Sequence, residues 1–260
     1  MICEEFYRQL INDMVWSYSR IDCFNQCPYQ WFLKYICESE EIPQFYSSYG
    51  SFIHKILEQY YTGKITKSGM KSLFLRDFSR EVRGERPSAK TVDKYIREAI
   101  KYFDCFSDFP FDTVAVEEKV DFTVNDKQFV GFIDYIGEKD GELYIVDNKS
   151  RALKPRSKRK NPTLNDLELD KMLRQLYLYS AAVKQKYGKF PKALCFNCFR
   201  TGVFIQETFD IDRYQEAIQW AAETINTIKN TTDFLPNIEF FGCKYICSVN
   251  NECCYWQRGR

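Results

Sequence analysis

Residues 131–149, GFIDYIGEKDGELYIVDNK, contain the pattern that decides the fold. Two apolar runs flank the turn signal Lys139-Asp140-Gly141 and therefore predict an antiparallel hairpin. Because side chains alternate along a strand, Asp147 and Lys149 share a face at the end of the second run. The hairpin is expected to bring Asp134 close to Asp147, so that two carboxylates and a lysine converge.

This trio of charged residues suits phosphodiester hydrolysis. One or two carboxylates typically hold Mg²⁺ or Mn²⁺ together with water and a phosphate oxygen, and a nearby ammonium can orient or deprotonate the attacking water. The alternative is an ordinary exposed Asp–Lys pair with no catalytic role. Residues 144–146 are apolar on both faces and predict a buried central strand, where charges are costly unless a metal or a partner is present.

The apolar pattern on either side of the hairpin predicts an α/β domain. Alternation over 114–124 adds a preceding antiparallel strand, and the first hundred residues have helical spacing. A long helix, two strands and a last amphipathic helix follow the hairpin. The predicted helices cover 24–36, 50–63, 68–82, 88–106, 166–186 and 211–229, and the two later strands cover 193–200 and 203–209.

Composition restricts the class of protein. The 260 residues are 45% hydrophobic and 28% charged, as in a compact protein with a substantial core. Lys and Arg number 37 and Asp and Glu number 36, so the net charge of +1 leaves a nucleic-acid partner open. No apolar run approaches the roughly 18 residues of a membrane span, and acids occupy the N-terminus where a signal peptide has basic residues. We expect a cytoplasmic protein with no membrane association.

Eleven cysteines and a single histidine are unusual counts. Without a secretory signal a disulfide framework is not expected, and clustered thiols more naturally hold a metal. Four thiols within twelve residues of the tail suit Zn²⁺ or an iron–sulfur cluster. The four are Cys243, Cys247, Cys253 and Cys254, whereas Cys195 and Cys198 on a strand, and Cys3, Cys23, Cys37 and Cys105 in the core, are expected to be structural.

Five motifs, in order, resemble the PD-(D/E)XK nuclease superfamily and, within it, the RecB-like exonuclease branch. Gly50-Ser-Phe-Ile-His54 is similar to the G-x-x-x-H helix of that branch, and Gln175-Leu-Tyr-Leu-Tyr179 is similar to its Q-x-x-x-Y helix. Its first acidic strand, G-x-I-D strand and D-x-K strand are matched by Val116-Glu117-Glu118, Gly131-Phe-Ile-Asp134 and Val146-Asp147-Asn148-Lys149.

The resemblance implies a restriction-endonuclease-like fold, in which helices flank a mixed central sheet. It divides the chain into a helical N-terminal part over 1–110, a nuclease core over 111–232 and a C-terminal cysteine segment over 233–260. The implied activity is that of a metal-dependent DNA exonuclease, acting on single-stranded DNA or DNA ends in recombination, repair, or phage or CRISPR DNA processing.

The resemblance also implies roles for individual residues. His54, Asp134 and Asp147 would bind Mn²⁺ or Mg²⁺, and Lys149 would position the attacking water. Gln175 and Tyr179 share a helix face and would present polar tips to the DNA backbone or to Lys149, although Tyr179 is equally suited to the core. Of the two neighbouring glutamates, alternation with Val116 and Val120 favours Glu118 over Glu117 as the assisting acid.

The cysteines extend the resemblance to both ends of the chain. In AddB-type and CRISPR-associated exonucleases, a cysteine in a C-P-(Y/F)-x-x-F helix joins three C-terminal cysteines in one 4Fe–4S cluster. Cys27-Pro-Tyr-Gln-Trp-Phe32 matches that helix. The tail spacing, one residue longer than the family's C-x₂-C-x₅-C, favours Cys243, Cys247 and Cys253 over Cys254. The cluster would tie the two ends of the chain together and have a structural role.

The segment after the D-x-K motif is strongly basic. Residues 151–160 include six basic residues and no acid. This segment is expected either to hold DNA phosphates or to be a solvated loop. No G-x-x-x-x-G-K-(S/T) motif occurs, so a helicase partner would be a separate chain. The rival interpretation is a catalytically silent iron–sulfur or zinc module, derived from a nuclease, that binds DNA or organises an assembly.

Overall fold

A mixed five-stranded sheet forms the centre of the computed structural model, which describes residues 4–257. The first three strands form an antiparallel meander, the third and fourth are parallel, and the fourth and fifth are antiparallel. Helices flank the sheet, which confirms the predicted restriction-endonuclease-like fold. Neighbours in the sheet follow chain order: β1 Asp112–Val124, β2 Lys127–Lys139, β3 Glu142–Lys149, β4 Ala193–Cys198 and β5 Val203–Thr208.

The described residues contain ten helices, and five of the six predicted helices are confirmed with shifted ends. The prediction of one helix over 24–36 is wrong, because the chain there forms two helices separated by Cys27. Pro28 occupies the first helical position and disfavours helical dihedrals in the residue before it, so Cys27 is extended at φ −159°. The helices are α1 Glu4–Asn12, α2 Tyr18–Gln26, α3 Pro28–Tyr35, α4 Phe45–Tyr61, α5 Lys67–Glu81, α6 Ala89–Asp104, α7 Leu164–Tyr187, α8 Ile211–Asn230, α9 Phe240–Tyr245 and α10 Cys254–Gln257.

Helix α7 connects the two parallel strands and packs on the sheet within the larger hydrophobic cluster. It begins with a capping box, in which the Thr163 hydroxyl accepts from the backbone N–H of Asp166 and the Asp166 carboxylate accepts from the backbone N–H of Thr163. It ends at Gly188, whose φ of 78° is the left-handed conformation that favours glycine. These signals set the length of α7, which holds Gln175 and Tyr179 against the sheet.

Helix α4 belongs to a second hydrophobic cluster, formed mainly with α5 and α6. Its apolar side includes Phe52, Ile53 and Ile56, all buried. Because α4 buries that side among the helices, its more polar side, which carries His54, faces the end of the sheet.

The C-terminal segment packs against the N-terminal helices. The ring of Phe234 stacks on Trp31 at 5.6 Å and on Phe32 at 4.9 Å, measured between ring centroids. The Gln44 side chain donates to the carbonyl of Cys247 over 2.9 Å. The three-part division of the chain stays a prediction. Within the described residues, no helix has both the length and the apolar character needed to cross a membrane.

The cysteines predicted to be structural differ in burial. Cys23 is buried, as expected for a core residue, and the strand residues Cys195 and Cys198 are also buried. Cys105 is exposed and Cys37 half-buried, so the core assignment is wrong for Cys105, which lies at the C-terminal cap of α6. Cys3 lies outside the described residues.

Candidate active site

A cavity of about 540 Å³ lies between α4, the first three strands and α7. Each of the five sequence motifs contributes at least one residue to its wall. The fold therefore brings together motif side chains that are up to 124 residues apart in sequence, from Ser51 to Gln175. The motif residues in the wall are Gly50, Ser51, His54, Glu117, Asp134, Asp147, Asn148, Lys149 and Gln175.

His54 is held by the backbone of β3 and by Asp134. Its Nε2 lies 2.8 Å from the carbonyl oxygen of Asn148, which can only accept, so Nε2 carries a proton. Its Nδ1 lies 3.3 Å from Asp134 Oδ2. The same carboxylate oxygen accepts the backbone N–H of Asn148 over 2.7 Å. Asn148 thereby orients both an imidazole and a carboxylate through its main chain.

This arrangement suits a cation. In a neutral imidazole that is protonated at Nε2, Nδ1 carries a lone pair, which then faces the carboxylate oxygen of Asp134. Two acceptors at 3.3 Å need a proton or a metal ion between or beside them. An imidazole nitrogen and carboxylate oxygens are the ligand types expected for Mn²⁺ and tolerated by Mg²⁺.

Glu117 completes a group of three ligand atoms. The ligand atoms of His54, Glu117 and Asp134 all lie within 4.8 Å of one another. Glu117 lies opposite Asp134 because the neighbouring pairs are Val116 with Tyr135 and Glu118 with Ile133. Its φ of 48° lies in the left-handed region, which is uncommon for a residue with a side chain. Residues in this strained conformation are often found at functional sites.

The structure corrects the sequence preference for Glu118. Its carboxylate accepts from the Tyr187 hydroxyl over 2.9 Å and forms an ion pair with Lys186, both at the end of α7, and it does not line the cavity. Val116 packs in the small cluster with Tyr135, whereas Val120 packs in the large cluster with α7. The alternation therefore changes face at Glu117, where the backbone has a positive φ, so Glu117 lines the cavity and Glu118 does not.

Asp147 lines the same cavity but lies outside the three-residue group. Its buried Oδ2 forms an ion pair with the Lys149 ammonium at 2.9 Å and has no other hydrogen-bond partner among the described residues. A buried carboxylate oxygen with one partner can still accept a further contact. A cation in the cavity would supply it.

A side-chain relay holds Lys149. The ammonium donates to Gln175 Oε1 over 2.8 Å, and Gln175 Nε2 donates to the Tyr179 hydroxyl over 3.4 Å. Gln175 therefore contacts Lys149, one of the two predicted targets, and Tyr179 contacts Lys149 only through Gln175. The Tyr179 ring itself is buried, only 8% exposed, so it is also a core residue.

Burial and neighbouring charges shift the pKa values of the acids and the histidine in the cavity. Burial and the nearby Asp134 carboxylate raise the pKa of Glu117 to about 7. Burial also raises the pKa of Asp147, by more than the Lys149 ammonium lowers it. Burial opposes ionisation of Asp134 and His54 as well, but each stabilises the charge of the other, which lowers the pKa of Asp134 and raises that of His54. A bound divalent cation would favour the ionised acids.

Sequence reasoning missed Asn148 and its partner. The Asn148 side chain accepts from Asn197 Nδ2 over 2.7 Å, and Asn197 also donates to the Tyr102 hydroxyl over 2.7 Å. Both asparagines are buried, each 5% exposed. The available signal was Asn197, a polar residue in the otherwise apolar strand β4. A buried polar side chain requires a hydrogen-bond partner.

A second cavity, of about 630 Å³, is lined by the four cysteines that the resemblance implies as cluster ligands, Cys27, Cys243, Cys247 and Cys253. The Cys27 sulfur accepts the backbone N–H groups of Gln30 and Asn237, each over 3.4 Å. Cys243 lies on α9, with Cys247 and Cys253 in the turns that follow. The Cys254 sulfur lies 3.5 Å from the Tyr29 hydroxyl, and this residue does not line the cavity.

The basic segment after β3 is partly anchored. Arg156 forms ion pairs with Asp170 at 2.6 Å and Glu207 at 2.8 Å, and Ser157 donates its backbone N–H and its hydroxyl to Asp166. The remaining basic side chains are exposed. They are Arg151, Lys154, Lys158, Arg159 and Lys160.

Comparison with known proteins gives a shared fold and a superfamily. A solved structure from Eubacterium rectale, described as "Putative exonuclease", has a TM-score of 0.54 at 13% identity, over 100% of this chain and 94% of that chain, which shows a shared fold. The structure of SSO0001 is less similar, with a TM-score of 0.34 at 14% identity over 90% of this chain and 84% of that chain. No curated protein matches the chain. The sequence profile of the PD-(D/E)XK nuclease superfamily matches residues 15–254, and the chain therefore belongs to that superfamily.

Proposed function

We propose that the protein is a metal-dependent DNA exonuclease of the RecB-like branch, acting on single-stranded DNA or DNA ends in recombination, repair, or phage or CRISPR DNA processing. Superfamily membership implies DNA as the substrate. The observation that carries the proposal is the shared cavity of a candidate metal group, His54, Glu117 and Asp134, and the Lys149 ammonium. The proposal includes a helicase or recombination partner on a separate chain.

His54, Glu117 and Asp134 would hold Mn²⁺ or Mg²⁺, and Asp147 would add a carboxylate oxygen from the same cavity. The ion would supply Lewis-acid stabilisation of the phosphate and would lower the pKa of a water. Lys149 orients the attacking water, because Gln175 and Asp147 fix its ammonium from two sides. Tyr179 acts through Gln175 as a positioning residue.

The proposal is tested with anaerobically purified protein and end-labelled single-stranded and double-stranded DNA, in Mn²⁺ or Mg²⁺. We expect degradation from DNA ends that stops on chelation. Asp147→Ala and Lys149→Ala, purified in the same way, control for contaminating nucleases and should show no degradation while keeping the wild-type circular dichroism spectrum. Either variant retaining near wild-type activity would refute the catalytic assignment. DNA binding by wild-type protein without degradation would favour the catalytically silent module.

We also propose that Cys27, Cys243, Cys247 and Cys253 hold a 4Fe–4S cluster with a structural role. Three features support this ligand set. The four residues line one cavity, and Cys254 is not part of its wall. Two backbone N–H groups donate to the Cys27 sulfur. Hydrogen bonds to ligand sulfurs are characteristic of iron–sulfur sites. Burial raises the pKa of the Cys247 thiol to about 11, so binding of a metal centre would displace a proton there.

A further inference from the structure

The cysteine cavity adjoins the active-site cavity. Tyr46 and Ser150 lie in the walls of both. Tyr46 precedes His54 by eight residues on α4, a separation of about 12 Å along the helix axis, which is roughly the rise of three or four stacked nucleotides. A DNA strand whose phosphate lies at His54 would therefore reach Tyr46 with its neighbouring nucleotides.

Three aromatic side chains form one wall of the cysteine cavity, here called the aromatic wall: Tyr46, Tyr95 and Phe241. The Tyr46 ring lies 5.4 Å from the rings of both Tyr95 and Phe241, measured between centroids. Phe241 is 47% exposed, whereas Phe234 in the same segment is 8% exposed and stacks on neighbouring rings. Phe241 lines the cavity and its ring is open to solvent, so it is accessible to a ligand, whereas Phe234 is not.

Cationic groups stand beside the aromatic wall. The Arg200 guanidinium lies 3.8 Å from the centroid of the Tyr95 ring and donates to Glu98 over 2.7 Å and to the Ser150 carbonyl over 3.3 Å. Arginine has five N–H donors, so these contacts leave others for a phosphate. Arg151, in the same cavity wall, is exposed and pairs with Glu168, and such exposed pairs are weak enough for a phosphate to replace the carboxylate.

We propose that the aromatic wall, with Arg151 and Arg200, binds unpaired nucleotides of the DNA strand that is cut in the active site. The inference rests on the proposed function and narrows its substrate to single strands. Bases stack on aromatic side chains in a sequence-tolerant way, and arginines track the phosphates. Duplex DNA does not fit this mode, because its bases are already stacked on one another.

The test is binding measured by fluorescence anisotropy, with Ca²⁺ replacing Mn²⁺ and strand integrity checked on gels. The probes are an oligothymidylate, an abasic strand of equal length and the matching duplex. One stacked base contributes about 1–3 kcal/mol, so wild-type protein should prefer the thymidylate over the abasic strand by between about fivefold and about 150-fold. Phe241→Ala should lose most of this preference, and Phe241→Trp should retain it.

The matched control is Phe240→Ala, because Phe240 is an exposed neighbour that packs on Trp256 and is not part of the cavity wall. This control should keep the preference, and an equal loss in it would overturn the assignment to Phe241. Equal binding of thymidylate and abasic strands, or of single strands and duplex, by wild-type protein would also overturn the inference. If the protein degrades DNA but does not prefer the thymidylate over the abasic strand, nucleotide binding at the aromatic wall is refuted and the proposed function stands. If it prefers the thymidylate but does not degrade DNA, only the proposed function is refuted.

Discussion

Gly131 on β2 lies directly against the ring of Tyr179 on α7, and a Cβ at residue 131 would be 2.5 Å from Tyr179 Cε1. No side chain larger than hydrogen fits there without moving the ring. Because Tyr179 contacts Gln175 and Gln175 contacts Lys149, this close approach of helix and strand sets the position of the lysine.

Gly131→Ala should therefore reduce DNA degradation at least tenfold, by displacing Tyr179 and loosening Lys149, and should lower the free energy of unfolding by about 1–3 kcal/mol. The measurements are turnover and thermal unfolding on the same preparations. Gly69→Ala is the control, because its Cβ would meet ordinary contacts at 3.4 Å on α5, far from the cavity. Wild-type turnover in Gly131→Ala would show that the ring position does not control Lys149.

Glu117→Gln and Glu118→Gln form a matched pair, identical in chemistry and adjacent in sequence. Glu117→Gln should weaken metal-dependent degradation at least tenfold, because it removes one charge from the group with His54 and Asp134. Glu118→Gln should leave activity near wild type and slightly lower stability, because it removes an ion pair with Lys186. The measurement is the initial rate of DNA degradation by each variant at saturating DNA. The reverse order of effects would restore the preference for Glu118.

Substitutions of His54 and Asp134 should change the metal requirement to different extents. An imidazole ligand makes the site softer than one built only from oxygen atoms, so activity should appear at lower concentrations of Mn²⁺ than of Mg²⁺. His54→Ala should raise the required Mn²⁺ concentration, and Asp134→Ala should be more damaging because it removes charge as well as a ligand. Metal titrations of both variants provide the measurement. An unchanged metal requirement in His54→Ala would make the histidine a structural helix residue.

Anaerobic protein should be brown, with broad visible absorption and about four irons per chain. Cys27→Ser should lose the iron and unfold at lower temperature, because the cluster closes a loop of more than two hundred residues between Cys27 and Cys243. Cys254→Ser is the control and should keep the iron. Colourless protein with stoichiometric zinc would eliminate the iron–sulfur proposal and leave the nuclease proposal intact.

Asn197→Ala should raise the metal concentration needed for activity, because it removes the side-chain partner of Asn148, whose backbone contacts His54 and Asp134. Leaving a buried amide unpaired costs about 1–3 kcal/mol of stability. Both quantities are measured, the first by Mn²⁺ titration and the second by thermal unfolding. Lower stability with an unchanged Mn²⁺ requirement would limit Asn197 to a structural role.

The sequence by itself determined the features that depend on short-range periodicity. The meander, the placement of Asp147 and Lys149 on one strand, and the shared face of Gln175 and Tyr179 follow from periods of 2 and 3.6 residues, which hold over a few residues whatever the rest of the fold does. The order of the five motifs then sufficed to indicate the superfamily that the profile match shows.

Only the tertiary structure decided the features that depend on a local break in periodicity or on distant packing. The positive φ of Glu117 reverses the strand alternation and puts Glu117 in the cavity instead of Glu118. The contact of Gly131 with Tyr179 and the hydrogen bond of Asn148 with Asn197 join residues 48 and 49 positions apart. These contacts depend on how α7 and β4 pack on the meander. The free energy that fixes them comes from surface buried between secondary-structure elements and not from the local sequence.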